Sequence, residues 1–431
     1  MGRTFFSALE QPRALWVIFA ALVGLRLIAI LAWVEPSSDA AWYFSRAAML
    51  ADGRGYLGDH GAPTAYWPPG WPLALSVLFR LTGPTIWAVG LVNLVLSCLA
   101  GWLLLDLARH VLRAEVPARL ALLLWAVYPN AVLYVPLALT EVFYTTLLLA
   151  LCWCLVARPG VVFWTVVAGL VLGLATLVKA QSLVVVPLVL GIALLREGHF
   201  WRRLPGMIGK GLALGALAAL VVLPWTVRNH RELGSWIAVS TNGGITLLTG
   251  NNDSARGGFT PEDPVVRALD ARTDLSEQAY DAQAKALGIA WIKAHPARFA
   301  LLMPMKLVRL WGPDGEGQWA YETGSWAWQA APHAFLALRA ANQAFYWGLL
   351  ALALAAVPMI VRARRAAGLR AIDWWVLPYG IAAYPSLIAM VFSGQSRFHY
   401  PAMPFLCMVA GWVIVRVLRD VAKFGAPQAW N

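Results

Sequence analysis

Asp39 is the residue whose type and position most strongly suggest chemistry. It follows the first apolar segment, and Tyr43 comes four residues later, so both side chains would share one helix face. A carboxylate at the mouth of a membrane-spanning segment could take a proton from an acceptor hydroxyl or amine. Ser38 and Asp39 are also good helix N-caps, so local sequence leaves a catalytic and a capping role open.

Glu141 is a second acid at the start of another apolar segment. Two carboxylates that converge from different spans indicate acid–base chemistry or a metal site, and oxygen ligands of this kind suit a hard divalent ion. The alternative is that Glu141 stabilises the N-terminal end of its own helix. No full ligand set is visible, so the sequence predicts no certain cofactor and leaves a divalent metal open.

Two cations are placed to receive a phosphate. Lys179 lies between two apolar segments with almost no loop, where it would pair with a lipid phosphate or extend to the interface as an anchor. Arg397, between the last two spans, offers a planar guanidinium suited to phosphate. His399 follows closely, and a lone histidine is more often a structural hydrogen-bonding group than a base. Tyr400 begins the closing span.

Aromatic and Asn/Gly-rich stretches accompany these charges. The turn YWPPGWP at 66–72 is held rigid by its prolines, and its rings could stack on a sugar or anchor the chain at the interface. Arg228 leaves a span at its outer end. The stretch 239–252 that follows favours tight turns with backbone N–H groups available to anions, although this signal is weak by itself.

The composition indicates that these residues are positioned by apolar helices. The chain has 431 residues, of which 60% are hydrophobic and 13% charged, whereas soluble domains carry about 25% charged residues. Apolar runs long enough to cross about 30 Å of hydrocarbon recur throughout. We therefore predict an all-α polytopic membrane protein with about ten spans, within a range of nine to thirteen. The candidate spans are 14–34, 85–107, 119–138, 141–157, 161–178, 181–195, 210–227, 341–361, 373–392 and 400–418.

The basic residues set the orientation. The net charge of +12 does not indicate nucleic-acid binding, because Lys and Arg cluster in short loops, namely 108–119, 196–210 and 362–370. Placing these loops in the cytoplasm requires 71–82 to be an interfacial helix rather than a span. By this topology 16 of the 22 acids lie on the outer side, so the chemistry is predicted there. The four cysteines all lie in apolar spans and indicate neither disulfides nor a zinc site.

The topology leaves two extracytoplasmic regions within one transmembrane domain over 1–431. The first is 35–84, with the acid and the interfacial helices, and the second is 228–340, the long polar segment. Arg26 lies inside the first span, where a charge is costly, so it must have a partner in the helix bundle.

Taken in order, these segments resemble the GT-C superfamily of membrane glycosyltransferases. They are most similar to bacterial family-39-type transferases that use a phospholipid carrier, relatives of protein O-mannosyltransferases and of the lipid A aminoarabinose transferase. The resemblance covers most of the chain. It is carried by Asp39, Pro68-Pro69, Thr140-Glu141, the run ending at Lys179, PWTVRNHRELG (224–234), STNGGITLLTGNN (240–252) and Arg397–Pro401.

The resemblance implies an inverting glycosyltransferase that moves a hexose or pentose from a polyprenyl-phosphate carrier to an acceptor. The reaction would occur on the extracytoplasmic side of a bacterial cytoplasmic membrane. Asp39 would be the catalytic base and Glu141 the second acid, while Lys179 and Arg397 would hold the donor phosphate. The expected partners are the lipid-linked donor, membrane lipids and a glycan, lipid or protein acceptor. Relatives with a large C-terminal soluble domain differ from this sequence, so acceptor recognition is expected from 35–84 and 228–340.

The predicted substrate pocket adds a set of aromatic, amide and basic side chains to the four charged residues. They are Tyr43, Tyr66, Trp67, Arg228, Asn242, Asn251, His399 and Tyr400. Some relatives carry a lysine where this chain has Trp67. The alternative function is a transporter or flippase of polyprenyl-linked sugars, which would place acids near the membrane midplane and often show paired repeats. The acids here cluster at one face and no repeat is evident, which favours the transferase.

Overall fold

The computed structural model describes residues 7–315 and 319–424, and the regular secondary structure of this part of the chain is helical apart from two isolated β-bridges. Seven described helical elements are long and apolar enough to cross a membrane: Pro12–Leu31, Ile86–Leu112, Ala180–Glu197, Phe200–Leu233, Pro332–Ala366, Trp374–Val391 and Ser396–Arg419. Two shorter apolar helices, Glu141–Val156 and Val162–Val178, accompany them. The predicted all-α multi-pass membrane protein is confirmed, but the count of ten spans is not.

The helices fall into three stretches of the chain. The first stretch contains α1 Pro12–Leu31, α2 Ser38–Ala51, α3 Gly70–Thr82, α4 Ile86–Leu112, α5 Glu115–Val127, α6 Pro129–Leu133, α7 Glu141–Val156, α8 Val162–Val178, a 3₁₀ turn Ala180–Val184, α9 Val185–Glu197 and α10 Phe200–Leu233. The second contains α11 Gly243–Gly250, α12 Pro264–Asp270, α13 Glu277–Ala294, α14 Pro296–Trp311, α15 Trp319–Gly324 and α16 Trp326–Ala330. The third contains α17 Pro332–Ala366, a 3₁₀ turn Trp374–Val376, α18 Leu377–Val391, a 3₁₀ turn Ser396–Ala402 and α19 Met403–Phe424.

The predicted span 119–138 does not form one continuous helix, because it breaks between α5 and α6. Pro129 has no N–H, so the Trp125 carbonyl four residues earlier loses its helical partner. The backbone N–H of Asn130 donates instead to Asn342 Oδ1 at 3.0 Å. The segment is apolar, as predicted, but Pro129 divides it into two helices.

Arg26 finds its partners at this break. Its Nη1 donates to the Ala126 carbonyl at 3.0 Å, and its Nη2 donates to the Trp125 carbonyl at 3.4 Å. Nη1 also reaches Leu22 O within its own helix at 3.2 Å. The buried guanidinium therefore caps the C-terminus of α5, which supplies the partner that the sequence required.

Two glycines bring α8 unusually close to α10. A Cβ on Gly169 would lie 2.5 Å from Leu217 Cβ, and one on Gly173 would lie 2.5 Å from Val221 Cβ. Small residues four apart permit this close contact between membrane helices. The contact fixes the end of α8, where Lys179 follows directly.

Ionic contacts tie the helix ends on one side of the bundle. Asp373, just before α18, accepts from Arg196 Nε at 2.9 Å and pairs with Arg364 Nη2 at 3.2 Å and Arg113 Nη2 at 3.4 Å. These arginines belong to three of the basic loops that the sequence placed on a common face. The Asp373 cluster thus joins the ends of α4, α9 and α17 to the start of α18.

The side of the bundle opposite the Asp373 cluster carries the short helix α3 and the polar region 228–340. The stretch 71–82, predicted not to cross, belongs to the 13-residue helix α3, which is too short for about 30 Å of hydrocarbon. Within 228–340, α11 packs on α13 around a small separate hydrophobic core formed by Ile245, Leu248, Val266, Leu269 and Ala284.

Candidate active site

Four charged side chains lie at the end of the bundle opposite the Asp373 cluster, and each comes from a different element. Asp39 is in the first turn of α2, and Glu141 is the first residue of α7. Lys179 joins α8 to a 3₁₀ turn, and Arg397 is in the 3₁₀ turn before α19. These are the two acids and two cations singled out from the sequence.

The four residues form two ion pairs at different depths. Arg397 Nη1 donates to Asp39 Oδ2 at 2.6 Å, and Lys179 Nζ donates to Glu141 Oε1 at 3.4 Å. The side chains of Arg397 and Asp39 are 21% and 22% exposed, whereas those of Lys179 and Glu141 are 12% and 3% exposed. The first pair therefore lies nearer the surface and the second pair deeper.

Phe398 connects the two pairs. Lys179 Nζ and Arg397 Cζ each lie 5.3 Å from the centroid of its ring, within the range of a cation–π contact. Burial lowers the pKa of Lys179, and the neighbouring carboxylate of Glu141 counteracts part of this effect. An arriving anion would act in the same direction as Glu141 and favour the charged lysine.

Asp39 does not cap its own helix. Ser37 occupies the N-cap position of α2, and no side-chain capping hydrogen bond forms there. The Asp39 carboxylate contacts Arg397 across the chain instead. Its position is thus set by a long-range ion pair rather than by helix capping.

Three of the predicted aromatic residues form a wall beside α2. Tyr43 is buried, and its ring lies 5.9 Å from that of Trp67, which in turn contacts Tyr66 at 5.6 Å. Burial, together with the nearby Asp39, raises the pKa of Tyr43. Its hydroxyl is therefore protonated at neutral pH and remains a hydrogen-bond donor.

The Pro-Pro-Gly-Trp turn holds the inner ion pair in place. A Cβ on Gly70 would lie 2.7 Å from Val178 Cγ2, so only glycine lets the turn pack on the end of α8. Trp71 Nε1 donates to the Ala138 carbonyl at 3.1 Å, shortly before α7 begins. The turn therefore braces both elements that carry the Lys179–Glu141 pair.

Arg228 and Asn242 have their contacts away from the four charged residues. Arg228 Nη1 donates to Thr64 O at 2.6 Å and its Nη2 donates to Tyr56 O at 2.7 Å, which fixes the loop before the aromatic turn. Asn242 precedes α11, and its Oδ1 accepts from Ser240 Oγ at 2.9 Å. Both side chains support loops, and neither contacts the ion pairs.

Asn251 is also committed to the protein interior. Its Nδ2 donates to Leu247 O at 2.8 Å and to Val391 O at 2.9 Å, and its Oδ1 accepts from Lys306 Nζ at 2.7 Å. The Asn/Gly-rich stretch forms α11 and a tight packing site rather than an open loop. A Cβ on Gly250 would overlap the Phe392 carbonyl, so this glycine serves close backbone packing.

His399 is fully buried behind Arg397. Its ring is stacked on those of Trp311 and Tyr346, with centroid distances of 5.3 and 4.8 Å. Nδ1 lies 2.6 Å from Leu310 O and Nε2 lies 3.1 Å from Asp314 Oδ1. The Leu310 carbonyl can only accept, so Nδ1 carries a hydrogen and donates to it.

Asp314 is the centre of a polar network that sequence reasoning missed. Besides His399, it accepts from Tyr128 OH, from Asn130 Nδ2 at 2.6 Å and from Asn342 Nδ2 at 3.0 Å. Burial alone would raise the pKa of Asp314, but these hydrogen bonds and the charge of His399 hold it below its ordinary value. The network links α6, α17 and the turn that carries Arg397.

Tyr400, the other predicted pocket residue of this turn, is buried against aromatic rings. Its centroid lies 4.6 Å from that of Tyr134 and 5.7 Å from that of Trp125. It therefore packs the turn before α19 onto the broken α5–α6 segment.

The residues around the acids do not make a complete site for a divalent ion. Among the described residues no group of three His, Cys, Asp or Glu side chains is arranged to hold a metal. Asp39 and Glu141 each face a cation already, and such ions usually take six or more oxygen ligands. No catalytic step is therefore assigned to a metal.

One protein-family model matches part of the chain. The family model described as Dolichyl-phosphate-mannose-protein mannosyltransferase matches residues 67–227, which include Glu141 and Lys179. No curated protein gave a match. Similarity therefore rests on this family model and on solved structures.

Two solved structures with TM-scores above 0.5 share the fold at low sequence identity. The oligosaccharyltransferase of Archaeoglobus fulgidus in the apo form is 13% identical with a TM-score of 0.54, and the match covers 97% of this chain and 52% of that one. AglB in complex with an inhibitory peptide and a dolichol-phosphate is 13% identical with a TM-score of 0.51, covering 98% and 53%. ArnT of Cupriavidus metallidurans bound to undecaprenyl phosphate is 15% identical with a TM-score of 0.46, covering 96% and 78%.

The chain spans about half the length of the oligosaccharyltransferase chains it matches. It is a multi-pass membrane protein with the GT-C fold. The resemblance drawn from the sequence is thereby confirmed.

Proposed function

We propose that this protein is an inverting glycosyltransferase that moves a sugar from a polyprenyl phosphate to an acceptor on the extracytoplasmic side of the membrane. The observation that carries the proposal is the contact of Asp39 with Arg397 beside the Lys179–Glu141 pair. The matching family model is described by transfer from a dolichyl-phosphate sugar. One AglB structure also contains a dolichol-phosphate. Both support a lipid-linked donor.

Arg397 and Lys179 are the groups suited to the donor phosphate. A guanidinium can donate two parallel hydrogen bonds to phosphate oxygens, and an ammonium adds a point charge. Both lie over Phe398, so one phosphate could be held between them. Tyr66 and Trp67 offer ring faces to the sugar beside Tyr43.

Asp39 is the proposed general base. It accepts the proton of the acceptor hydroxyl or amine as that atom forms a bond to the anomeric carbon. The bond from the anomeric carbon to the phosphate oxygen breaks on the opposite face, and its electrons leave with polyprenyl phosphate. The leaving group needs no proton, because Arg397 and Lys179 stabilise its negative charge.

The function is tested by carrier release. The full chain, reconstituted in nanodiscs with membrane extract as acceptor source, would be given polyprenyl-phosphate hexoses and pentoses, and free polyprenyl phosphate would be measured by mass spectrometry. We expect release from one donor class, with inversion at the anomeric carbon of the product. Absence of release from every donor would refute the proposal. Donor translocation across liposomes without release would instead identify a flippase.

Glu277 is expected to position the aromatic wall. Its carboxylate accepts from Thr64 Oγ1 at 2.5 Å, Ala65 N at 2.9 Å and Thr241 Oγ1 at 2.5 Å. Glu277→Ala releases the segment that leads into Tyr66, so we expect transfer to fall about tenfold or more, since small misplacements of a site are costly. Initial rates of carrier release at several donor concentrations would measure this.

Two further variants test whether Glu277 acts by positioning the aromatic wall or only through its negative charge. Glu277→Gln keeps one carbonyl oxygen as an acceptor and should retain an intermediate rate. Asp274→Ala removes an exposed acid paired with Arg272 and should leave the rate unchanged. Equal rates for Glu277→Ala and Asp274→Ala would rule out the positioning role.

A further inference from the structure

A cavity of about 630 Å³ opens beside the turn that carries Arg397, and the proposed mechanism does not use it. Its volume is in the range of small-molecule sites, about 300–1,000 Å³. It is formed by the loop after α11, the end of α14, the start of α17 and the turn after α18. Three of its lining side chains are arginines: Arg256, Arg309 and Arg339.

The base of the cavity is fixed by backbone packing. Gly394 N donates to Gly257 O at 2.9 Å. A Cβ on Gly394 would overlap the Lys306 carbonyl of α14, and one on Gly257 would lie 2.8 Å from the carbonyl carbon of Met305. Two glycines thus press separate loops onto one helix, which gives the arginines a rigid support.

The described lining of the cavity contains three arginines and two acids. Arg339 pairs with Glu322 at 3.0 Å, whereas the described residues place no acid in an ion pair with Arg256 or Arg309. Asp314 also lines the cavity, but its carboxylate already accepts hydrogen bonds from Tyr128, Asn130 and Asn342. Among the described lining residues Glu262 is the remaining acid. The excess of guanidinium groups fits a phosphate or carboxylate, which they bind bidentately.

The cavity reaches the candidate catalytic pair. Gln395 and Ser396 line it, and Arg397 Nε donates to Gln395 Oε1 at 3.1 Å. The same arginine holds Asp39 through Nη1. A ligand anchored among the arginines would therefore extend its other end toward the proposed base.

We propose that this cavity is the acceptor subsite and that it binds a phosphate or carboxylate group carried by the acceptor. This assignment rests on the proposed glycosyl transfer. The anion could belong to a soluble molecule or to a lipid headgroup. A lipid could approach along α14, whose Met305 and Val308 side chains are exposed next to Arg309.

Binding of inorganic phosphate tests the site without requiring turnover. Titration calorimetry would be done on the full chain carrying Arg397→Gln, which weakens the donor pocket. We expect one phosphate per chain in this variant and at least tenfold weaker binding when Arg256→Gln and Arg309→Gln are added. Adding Glu262→Gln instead should strengthen binding, because it removes the opposing charge.

The matched control adds Arg272→Gln, an exposed arginine of the same region, and should leave phosphate affinity unchanged. Thermal unfolding of each variant would confirm that it is folded. Equal phosphate affinity with and without Arg256 and Arg309, or no phosphate binding in the Arg397→Gln protein, would overturn the proposal.

Nanodiscs distinguish the source of the anion. Phosphatidylcholine alone would be compared with equal parts phosphatidylcholine and phosphatidylglycerol, and lipid retained by the protein would be identified by native mass spectrometry. Retention of phosphatidylglycerol that depends on Arg256 and Arg309 assigns the site to a lipid headgroup. Phosphate binding without lipid retention assigns it to a soluble anion. If the wild-type protein releases no carrier from any donor but the Arg397→Gln protein still binds phosphate through Arg256 and Arg309, the transferase proposal is refuted and the anion-binding site is retained.

Discussion

Asp39→Asn is expected to lower the rate of sugar transfer by about a thousandfold or more. A general base contributes typically 10²–10⁴ in rate, and the amide cannot accept the proton of the acceptor. The substitution keeps the size of the side chain and leaves α2 intact, since Asp39 makes no capping hydrogen bond. Carrier release would be measured under saturating donor, with binding of polyprenyl phosphate measured in parallel.

Asp59→Asn provides the matched control for this variant. Asp59 lies in the same region, 35–84, and is also paired with an arginine, Arg46, but its own side chain is 76% exposed. We expect wild-type turnover there, because Asp59 is open to solvent and pairs with none of the four charged site residues. Donor binding in Asp39→Asn should be retained, since Arg397 remains. Turnover of Asp39→Asn equal to that of Asp59→Asn would exclude Asp39 as the base.

Asp314→Ala is expected to have the largest effect on stability, about 3–5 kcal/mol, because it removes the carboxylate shared by a buried polar network. The donors on Tyr128, Asn130 and Asn342 would lose their acceptor, and the His399 ring would lose its Asp314 contact. Thermal unfolding in detergent, with the yield of folded protein, measures the loss.

Asp253→Ala is the control, because Asp253 pairs with Arg298 at the surface and is 69% exposed. Its unfolding temperature should stay close to that of the wild type. The double variant Asp314→Ala/His399→Phe removes both polar partners and should recover part of the stability, since it leaves no unpaired polar ring beside the missing carboxylate. An unfolding temperature for Asp314→Ala equal to that of Asp253→Ala would contradict the account of this network.

The charged residues of the site could be predicted because each lies at the edge of an apolar segment. Charge is costly there and therefore informative. Asp39, Glu141, Lys179 and Arg397 all met this condition, and the structure brings them together. The helical class could be predicted for a related reason, since helices satisfy their own backbone hydrogen bonds in hydrocarbon.

The remaining pocket residues show where sequence reasoning stops. Arg228 and Asn251 have the residue types of ligand-binding groups, but their hydrogen bonds go to distant backbone carbonyls. Nothing near them in the sequence indicates those partners. Asp314 and His399 are 85 residues apart, and only the folded chain pairs them. The break at Pro129 was visible in the sequence, although hydropathy alone conceals it.

The contact between Asp39 and Arg397 implies an order of substrate entry under the proposed function. In the ligand-free protein the base is masked by the same guanidinium that would hold the carrier. A phosphate that takes this guanidinium sets the carboxylate free, so the base becomes competent only once the donor has arrived. The lipid should therefore bind before the acceptor, because an acceptor that arrives first meets a carboxylate still engaged by Arg397.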